Sequence, residues 1–406
     1  MTYDVIIVGA RCAGAPTAML LNRRGYRVLL MDRSTFPSDI MSTHLIKPSG
    51  VLRLHRWGLL PRVVATGCPP VKQITVHAGD FPLTAALPAI DGLDTILAPR
   101  RIVLDKILVD AAVEAGVELR EAIVVSGLLC DGDRVVGIEG RTRGGSRFEE
   151  RARIVIGADG MRSIVAKTVK APTYDDFPAR ACWCYSYWSG VNLEGFRVHT
   201  PPSRCILAFP TNHGLTCMLF GWPLDEFHAV RKDVEGAVQR MLSELDQDLA
   251  ERTRCGRREE RYVGTADVPG YFRKAFGPGW ALVGDAGYHR DPCTGWGIAD
   301  AFRDSELLAD AIDAGFAGRR PLAEALADYE VARNAEARPY YERTCQLAEL
   351  RGAPPALLRL RAALRQQPEE ASRFMGAVQG TVPIGEYFAR TNIERILAAV
   401  TGLTSR

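Results

Sequence analysis

The sequence lacks the long apolar run, of about 20 residues, that a helix needs to cross a bilayer. Its seven histidines and ten scattered cysteines form neither a Cys-x-x-Cys pair nor a zinc-ligand spacing. It also lacks a basic block, and the formal net charge is only +3. We therefore predict no membrane span, no metal site and no nucleic-acid partner.

A signal peptide is not expected either, because a strand-like apolar run already begins at Tyr3. Together with the absence of a cysteine framework, this favours a cytoplasmic protein with free thiols. The chain has 406 residues, of which 47% are hydrophobic and 24% are charged. These values suit a globular protein of two or three domains.

What the chain does have is three glycine-rich loops, each at the end of an apolar run. The first, Gly9-Ala10-Arg11-Cys12-Ala13-Gly14, follows the run that begins at Tyr3 and precedes a predicted helix over 16–22 and a strand ending at Asp32. A strand, helix, strand and acid within about 30 residues are typical of dinucleotide binding. The helix N-terminus would offer N–H groups to a diphosphate, and Asp32 would accept hydrogen bonds from ribose hydroxyls.

Arg11 stands at the middle position of this loop, where the pattern has glycine. A side chain there is expected to crowd the phosphates or to turn outward and add charge near them. The alternative interpretation of this segment is an ordinary buried parallel strand and turn.

The other two loops come later in the chain. Gly157-Ala158-Asp159-Gly160 follows a predicted strand over 151–156, and Asp159 is expected to cap a helix from Met161. Gly284-Asp285-Ala286-Gly287 follows a short strand over 280–283, and a turn then leads to a helix predicted over 298–312. A carboxylate and a helix N-terminus at this place can hold a ribityl hydroxyl and a phosphate or flavin edge.

Taken together, these motifs resemble those of class A FAD-dependent monooxygenases, the group built like para-hydroxybenzoate hydroxylase. A fourth mark is Arg101, which opens an Arg-x-x-Leu-x-x-x-Leu segment with Leu104 and Leu108. The resemblance implies an α/β fold: a Rossmann-like FAD-binding domain, an inserted and mostly antiparallel β-sheet substrate domain, and a helical C-terminal region. The expected bounds are 1–175 with 265–320, then 176–264, then 321–406.

The resemblance also implies which residues contact FAD. Asp32 and Arg33 would serve the adenosine, the backbone of Val124 the adenine, and Asp285 the ribityl chain and diphosphate. Asp159 would support both FAD and the nicotinamide cofactor. The full expected set is Gly9, Ala10, Arg11, Cys12, Ala13, Gly14, Asp32, Arg33, Ser42, Thr43, Arg101, Val124, Asp159, Gly284, Asp285, Pro292, Gly295, Trp296, Gly297 and Ile298.

Two side chains are candidates for chemistry beside the flavin ring. His44, in an irregular segment with Ser42 and Thr43, is the best titratable candidate, with His289 next; the alternative is a loop histidine with a backbone partner. Cys293 lies in the turn before Gly295, where the alternative to a redox role is a small turn-filling residue.

The region 177–268 is predicted to form the antiparallel sheet that covers the flavin and builds a largely apolar substrate pocket. In the run 181–188, period-two spacing puts Trp183, Tyr185 and Tyr187 on one face. A helix is expected over 233–249. From Pro321 onward the chain is predicted to be helical, with breaks at Pro339, Pro354–Pro355 and Pro383.

The resemblance implies an enzyme, monomer or homodimer, that acts on a small aromatic or polyketide-like molecule. NADPH or NADH would transiently reduce FAD, and the reduced flavin would react with O2 to a C4a-hydroperoxide that hydroxylates or epoxidises the substrate. A geranylgeranyl-reductase-like flavin reductase or dehydrogenase and a non-catalytic redox sensor remain open. A halogenase is disfavoured, because no Trp-x-Trp-x-Ile-Pro segment occurs.

Overall fold

The computed structural model of the protein describes residues 2–79 and 81–401. Within these residues the strands are β1 (Tyr3–Val8), β2 (Val28–Met31), β3 (Gln73–His77), β4 (Pro82–Ala86), β5 (Glu118–Arg120), β6 (Ile123–Asp131), β7 (Arg134–Thr142), β8 (Arg147–Gly157), β9 (Thr173–Phe177), β10 (Ala181–Ser189), β11 (Phe196–His199), β12 (Cys205–Pro210), β13 (Thr216–Pro223), β14 (Arg257–Arg258), β15 (Val263–Thr265), β16 (Gly270–Arg273), β17 (Phe276–Gly277), β18 (Trp280–Leu282) and β19 (Tyr288–His289).

The helices of the same residues are α1 (Gly14–Asn22), α2 (Pro48–Arg56), α3 (Leu60–Val64), α4 (Arg101–Glu114), α5 (Ile164–Thr168), α6 (Phe227–Lys232), α7 (Val234–Leu245), α8 (Gln247–Cys255), α9 (Gly297–Phe316), α10 (Leu322–Ala348), α11 (Pro355–Leu364), α12 (Pro368–Gln379), α13 (Ile384–Tyr387) and α14 (Arg390–Thr401). None of these helices is both long enough and apolar enough to span a membrane.

The first sheet contains the strands that precede the three glycine loops, in the order β17-β18-β8-β1-β2-β5. β1 pairs in parallel with β2 and β8, so that Val8 lies beside both Met31 and Gly157. Leu282 of β18 lies beside Gly157 in turn. Since parallel strands end at the same edge, this register brings the three loops together there.

The second sheet has the order β14-β10-β13-β12-β11-β3-β4, with β15 also paired to β10. The predicted bounds put 73–86 in the FAD-binding part, but β3 and β4 belong to this sheet. β3 pairs in parallel with β11, where Ile74 lies beside Phe196. The second sheet is therefore not built from the insertion alone. No local pattern signals a pairing between strands so far apart in the chain.

Both faces of β10 are buried, and its alternation follows the prediction. Trp183 and Tyr187 belong to a core that includes Phe374 of α12. Cys184 and Trp188 of the opposite face belong to a core that includes Leu242 of α7. The second sheet is thus covered by the C-terminal helices on one side and by α7 and α8 on the other.

The C-terminal region is helical as predicted, but its breaks differ from the prediction. Pro355 and Pro383 do stand at helix starts, whereas α10 runs through Pro339 without a break. An internal proline costs a helix about 3 kcal/mol. Because α10 packs along α9 and the sheet edge, with the Tyr329 hydroxyl donating to the carbonyl oxygen of Leu282, tertiary contacts outweigh that cost.

Two other helix predictions were wrong in their bounds. The helix expected over 233–249 is two helices, because Asp246 leaves the helical conformation at φ −152° and caps α8 through the Leu249 N–H. The helix expected from Met161 begins at Ile164 instead. Its cap is Ser163, while Asp159 accepts the N–H of Ile164 itself.

Candidate active site

The first glycine loop leaves no room for side chains at its two ends. Gly9 has φ +101°, and a Cβ on it would lie 2.4 Å from the carbonyl oxygen of Ala158. A Cβ on Gly14 would lie 1.7 Å from the carbonyl oxygen of Gly9. α1 then begins at Gly14 with no side-chain cap. Uncapped N–H groups at such a helix start can bind a diphosphate.

Arg11 turns away from this loop toward α4. Its guanidinium lies 2.7 Å from Asp105 Oδ2, and Arg101 approaches the same carboxylate at 2.9 and 3.0 Å. Asp105 is fully buried. Two arginines therefore share one carboxylate, which leaves an excess of positive charge beside the loop. Asp105 was missed by the sequence interpretation, although it stands four residues after Arg101 on the same helix face.

Cys12 completes this cluster. Its thiol donates to Asp105 Oδ1 at 3.4 Å, and burial raises the pKa of the thiol. Cys12 is therefore a neutral packing residue of the loop and not a nucleophile.

Asp32 is held in place by two backbone donors at the end of β2. Its Oδ2 accepts the N–H of Ala10 and its Oδ1 that of Ser34, both at 2.8 Å. The start of β6 is bound to the same point, because the N–H of Ile123 donates to the carbonyl oxygen of Asp32 at 2.9 Å. Val124, which follows, is 55% exposed. The structure thus brings Asp32, the exposed Arg33 and Val124 together at one end of the sheet edge where the three glycine loops lie.

The third loop packs against the first. Gly284 has φ +60°, and a Cβ on it would lie 2.7 Å from the Cβ of Ala13. Asp285, next in the chain, is exposed at the end of β18. In the second loop, Asp159 Oδ2 accepts the N–H of Ile164 at 2.7 Å, while its Oδ1 is buried without a partner among the described residues.

The turn 292–296 directs the N-terminus of the 20-residue helix α9 toward the edge of the first sheet where the three glycine loops lie. Asp291 fixes this turn by accepting the N–H of Cys293 at 2.9 Å and the indole N–H of Trp183 at 3.2 Å. α9 begins at Gly297 without a side-chain cap, with Ile298 buried behind it. A Cβ on Gly297 would meet no atom within 4 Å. This helix start therefore faces open space.

His44 is completely buried and stands in a strained conformation, with φ +62°. It is held in a tight turn in which the N–H of Leu45 donates to the carbonyl oxygen of Thr43 at 2.7 Å. Its own N–H donates to Ser42 Oγ. Backbone strain of this kind in a residue other than glycine is often found at functional sites.

The ring of His44 meets a side chain of the second sheet, not the backbone partner that the alternative interpretation expected. Its Nε2 lies 2.7 Å from the hydroxyl of Tyr187, and Nδ1 has no partner among the described residues. Burial, followed by the charges of Arg101 and Arg100, lowers the pKa of His44 to about 3. The imidazole is therefore neutral near pH 7 and does not store a proton there.

Arg100 joins the start of α4 to the second sheet. Its guanidinium lies 4.5 Å from the ring centre of Tyr187 and donates to Glu260 at 2.5 Å. Its backbone N–H donates to Asn212 Oδ1. Arg100 and Tyr187 are further site residues that sequence patterns did not single out as partners of His44.

A cavity lies between the second sheet, the turn before α9 and the helices α10 to α12. Its volume is about 140 Å³. An engineered apolar cavity of about 150 Å³ binds benzene, so this volume matches one aromatic ring. The aromatic face of β10 does not line it; the wall includes Lys47, Val198, Cys293, Trp296, Arg343 and Phe374.

A model of the FAD binding domain family matches residues 2–344, most of the chain. The chain belongs to the FAD binding domain family. It is therefore an FAD-dependent flavoprotein oxidoreductase, and the predicted α/β fold of class A-like flavoproteins is confirmed.

Relatives of this flavoprotein differ in their named activities. Digeranylgeranylglycerophospholipid reductase 2 of Methanopyrus kandleri is 29% identical over 337 residues, which are 77% of this chain and 78% of the relative. The myxobacterial chondrochloren halogenase CndH has a TM-score of 0.80 at 20% identity, covering 98% of this chain and 96% of its own. PqsL of Pseudomonas aeruginosa, described as "a probable FAD-dependent monooxygenase", has a TM-score of 0.72 at 21% identity, covering 93% and 99%. The two solved structures establish the fold alone.

The residues present in this flavoprotein fit FAD. The loop at Gly9 and Gly14 leaves backbone space that only glycine permits, and two arginines beside it share one carboxylate. The open space over Gly297 lies at a helix N-terminus, where the electron-rich edge of a flavin ring would be stabilised. Asp159 has a buried oxygen still to be satisfied.

The other two candidates for chemistry in this flavoprotein are Cys293 and His289, and neither is free to react. Burial, followed by the charge of Asp291, raises the pKa of the Cys293 thiol well above its ordinary value, so the thiol is neutral. His289 is hydrogen-bonded through Nδ1 to the carbonyl oxygen of Pro269. Neither side chain offers a reactive anion beside α9.

Away from this site, His77, His199 and Asp246 bring three metal-ligand types within 4.8 Å of one another. The spacing of histidines in the sequence did not indicate this cluster. His199 Nε2 lies 2.9 Å from Asp246 Oδ2, which also accepts from Arg197 at 3.2 Å. The same carboxylate caps α8, and the ring of His77 stacks on that of His199 with centroids 4.0 Å apart, so hydrogen bonds and ring stacking account for this cluster.

Proposed function

We propose that this flavoprotein is an NAD(P)H-driven monooxygenase that hydroxylates or epoxidises a small aromatic or polyketide-like molecule. The observation that carries the proposal is the cavity, whose wall includes Cys293, Thr294 and Trp296 immediately before α9. A flavin ring at the open N-terminus of α9 would border this cavity. An aromatic ring of the substrate would then lie against the reactive edge of the flavin.

The loops at the sheet edge would hold the cofactor. The backbone of Gly9 to Gly14 and the guanidinium of Arg101 would bind the diphosphate, and Asp32 would bind the ribose. Asp285 would bind the ribityl chain. The chemistry that bound FAD would supply is acceptance of a hydride from NADPH or NADH, the transient reductant, and activation of O2.

The protein orients the substrate and keeps water from the reacting atoms. The second sheet and α10 to α12 enclose the cavity. His44 and Tyr187 form a neutral, fully buried hydrogen-bonded pair beside Arg101. We assign this pair a positioning role: it fixes the segment 42–47 next to the cofactor, so that the ring edge stays dry.

A second function, reduction of an isoprenoid double bond, is favoured by the named activity of the 29% identical archaeal relative. The two functions differ in their need for O2.

The experiment is anaerobic addition of NADPH, and separately of NADH, to the FAD-loaded protein, followed by air. We expect an oxidised-flavin spectrum that bleaches with one of the two nicotinamides and returns with oxygen. Oxygen uptake should become coupled to product formation when an aromatic substrate is present. Bleaching that air does not reverse, with anaerobic saturation of an isoprenoid alkene, would instead establish the reductase.

A further inference from the structure

We propose that the substrate of this enzyme is an organic acid whose carboxylate is bound by Lys47 and Arg343 in the wall of the cavity. The inference rests on the proposed function only in taking the cavity as the substrate site. It adds the chemical class of the substrate, which the apolar lining alone does not give.

Lys47 is an unusual residue to find inside a protein, since its side chain is almost never buried without a partner of opposite charge. It precedes α2, is only 2% exposed and lines the cavity. Its ammonium donates to the side-chain oxygen of Gln379 and lies 5.7 Å from the ring centre of Trp296. Among the described residues, no carboxylate forms an ion pair with it.

Arg343 reaches the same cavity from α10. Its guanidinium lies 5.6 Å from the ring centre of Phe388, and its Nε is buried without a hydrogen-bond partner among the described residues. In the part of the chain that the structure describes, it too has no ion pair with an acid. A guanidinium presents a planar fork that matches the geometry of a carboxylate.

Both cations line the same cavity, whose wall also includes Cys293 at the turn before α9. The described lining of the cavity contains no aspartate or glutamate. Other arginines of the wall are already engaged: Arg204 pairs with Glu226, and Arg361 donates to backbone carbonyls of Val76 and Ala78.

A buried cation without an anion is unfavourable, and its protonation state reflects this. Burial, followed by the charge of Arg290, lowers the pKa of Lys47 to about 7, and burial lowers the pKa of Arg343. An entering carboxylate would accept hydrogen bonds from both groups and would favour the charged form of Lys47. The apolar remainder of the wall, with Val198, Leu207 and Phe374, suits the hydrocarbon part of an organic acid better than a nucleotide phosphate.

The test compares benzoate with benzamide, two probes of equal shape, by calorimetric titration of the oxidised FAD-loaded enzyme. We expect benzoate to bind at least about tenfold more tightly than benzamide. Lys47→Met and Arg343→Met should each remove most of this preference and leave benzamide binding unchanged. The matched controls are Lys72→Met, an exposed lysine paired with Asp94, and Arg338→Met, an exposed arginine paired with Asp175.

Benzoate that binds no better than benzamide, or does not bind at all, overturns the proposal. So does an unchanged benzoate preference in both variants while their flavin content and melting temperature stay at the wild-type level. If the variants weaken NADPH binding but not benzoate binding, the cations serve a phosphate and the proposal fails. The titration needs neither reduction nor oxygen, so its result is independent of whether the enzyme proves to be a monooxygenase.

Discussion

The cofactor end and the cavity handle buried positive charge in opposite ways. At the cofactor end, Arg11 and Arg101 share the fully buried carboxylate of Asp105. In the cavity, Lys47 and Arg343 have no carboxylate among the described residues of the wall. The first pair is partly compensated by the chain itself, whereas we propose that the second is compensated by the carboxylate of a substrate.

The two regions also differ in how far apart their residues lie in the sequence. The cofactor loop is contiguous from Gly9 to Gly14, and Asp105 is one helical turn from Arg101. In the cavity, Lys47 meets Gln379, which is 332 positions away. Backbone geometry dominates the first region, and long-range packing dominates the second. The following variants test each side of this comparison.

The largest effect is expected for Gly14→Ala. Its Cβ would lie 1.7 Å from the carbonyl oxygen of Gly9, and backbone cannot give way without opening the loop. We expect a loss of FAD and of more than about 4 kcal/mol in the free energy of unfolding, measured with urea. Gly385→Ala, where no atom lies within 4 Å, should change stability by less than about 1 kcal/mol. Normal FAD content in Gly14→Ala would refute the assignment of the loop.

The next largest effect is expected for Asp105→Asn, which leaves the buried Arg101 and the partly exposed Arg11 without their anion. Breaking such a buried pair costs about 3–5 kcal/mol. Added FAD should stabilise this variant more than it stabilises the wild type, because the diphosphate supplies the missing charge. Asp110→Asn, which loses only the partly exposed partner Lys106, should cost less than about 1 kcal/mol. If added FAD raises the free energy of unfolding equally in the variant and the wild type, the diphosphate does not lie beside Arg11 and Arg101.

His44→Asn tests the protonation state of the buried imidazole through the pH dependence of the free energy of unfolding. The folded-state pKa of His44 is about 3, below its ordinary value of 6.5, so the unfolded chain takes up a proton first as pH falls. Stability should therefore decline below about pH 6.5, by about 2 kcal/mol at pH 5 relative to pH 8. Asparagine tolerates the positive φ, and the variant should lack this decline.

The control for this pH effect is His77→Asn. His77 is partly exposed, and burial, with the charge of His199, lowers its pKa to about 4. His77 should contribute less than His44 to the loss of stability at low pH, because solvent screens the partly exposed ring of His77. Wild-type pH dependence that persists in His44→Asn would show that the buried imidazole is not neutral.

The smallest effect is expected for Gly297→Ala, at the open start of α9. The apo protein has room for the added Cβ, so stability should change by less than about 1 kcal/mol. FAD affinity should fall about tenfold, because the methyl group would occupy the space of the flavin ring. Gly385→Ala should leave FAD affinity unchanged. Equal FAD affinity in both variants would place the flavin ring elsewhere.

The sequence by itself determined four strands of the first sheet, β1, β2, β8 and β18, and the place of the three loops. Apolar runs such as Tyr3–Val8 are local signals, and a glycine that ends each run marks a turn that few other residues allow. Once such strands pair in parallel, their carboxyl ends must lie side by side. The order of the three glycine loops was therefore enough to predict an FAD-binding fold.

Only the tertiary structure decided what surrounds the candidate site. The pairing of β3 with β11, the contact of His44 with Tyr187, and the presence of Lys47 and Arg343 in the wall of one cavity all join distant segments. Such contacts depend on how whole layers pack, and local propensity carries no information about them. The lowered pKa values of His44 and Lys47 have the same origin, since burial is a property of the folded chain and not of the residue.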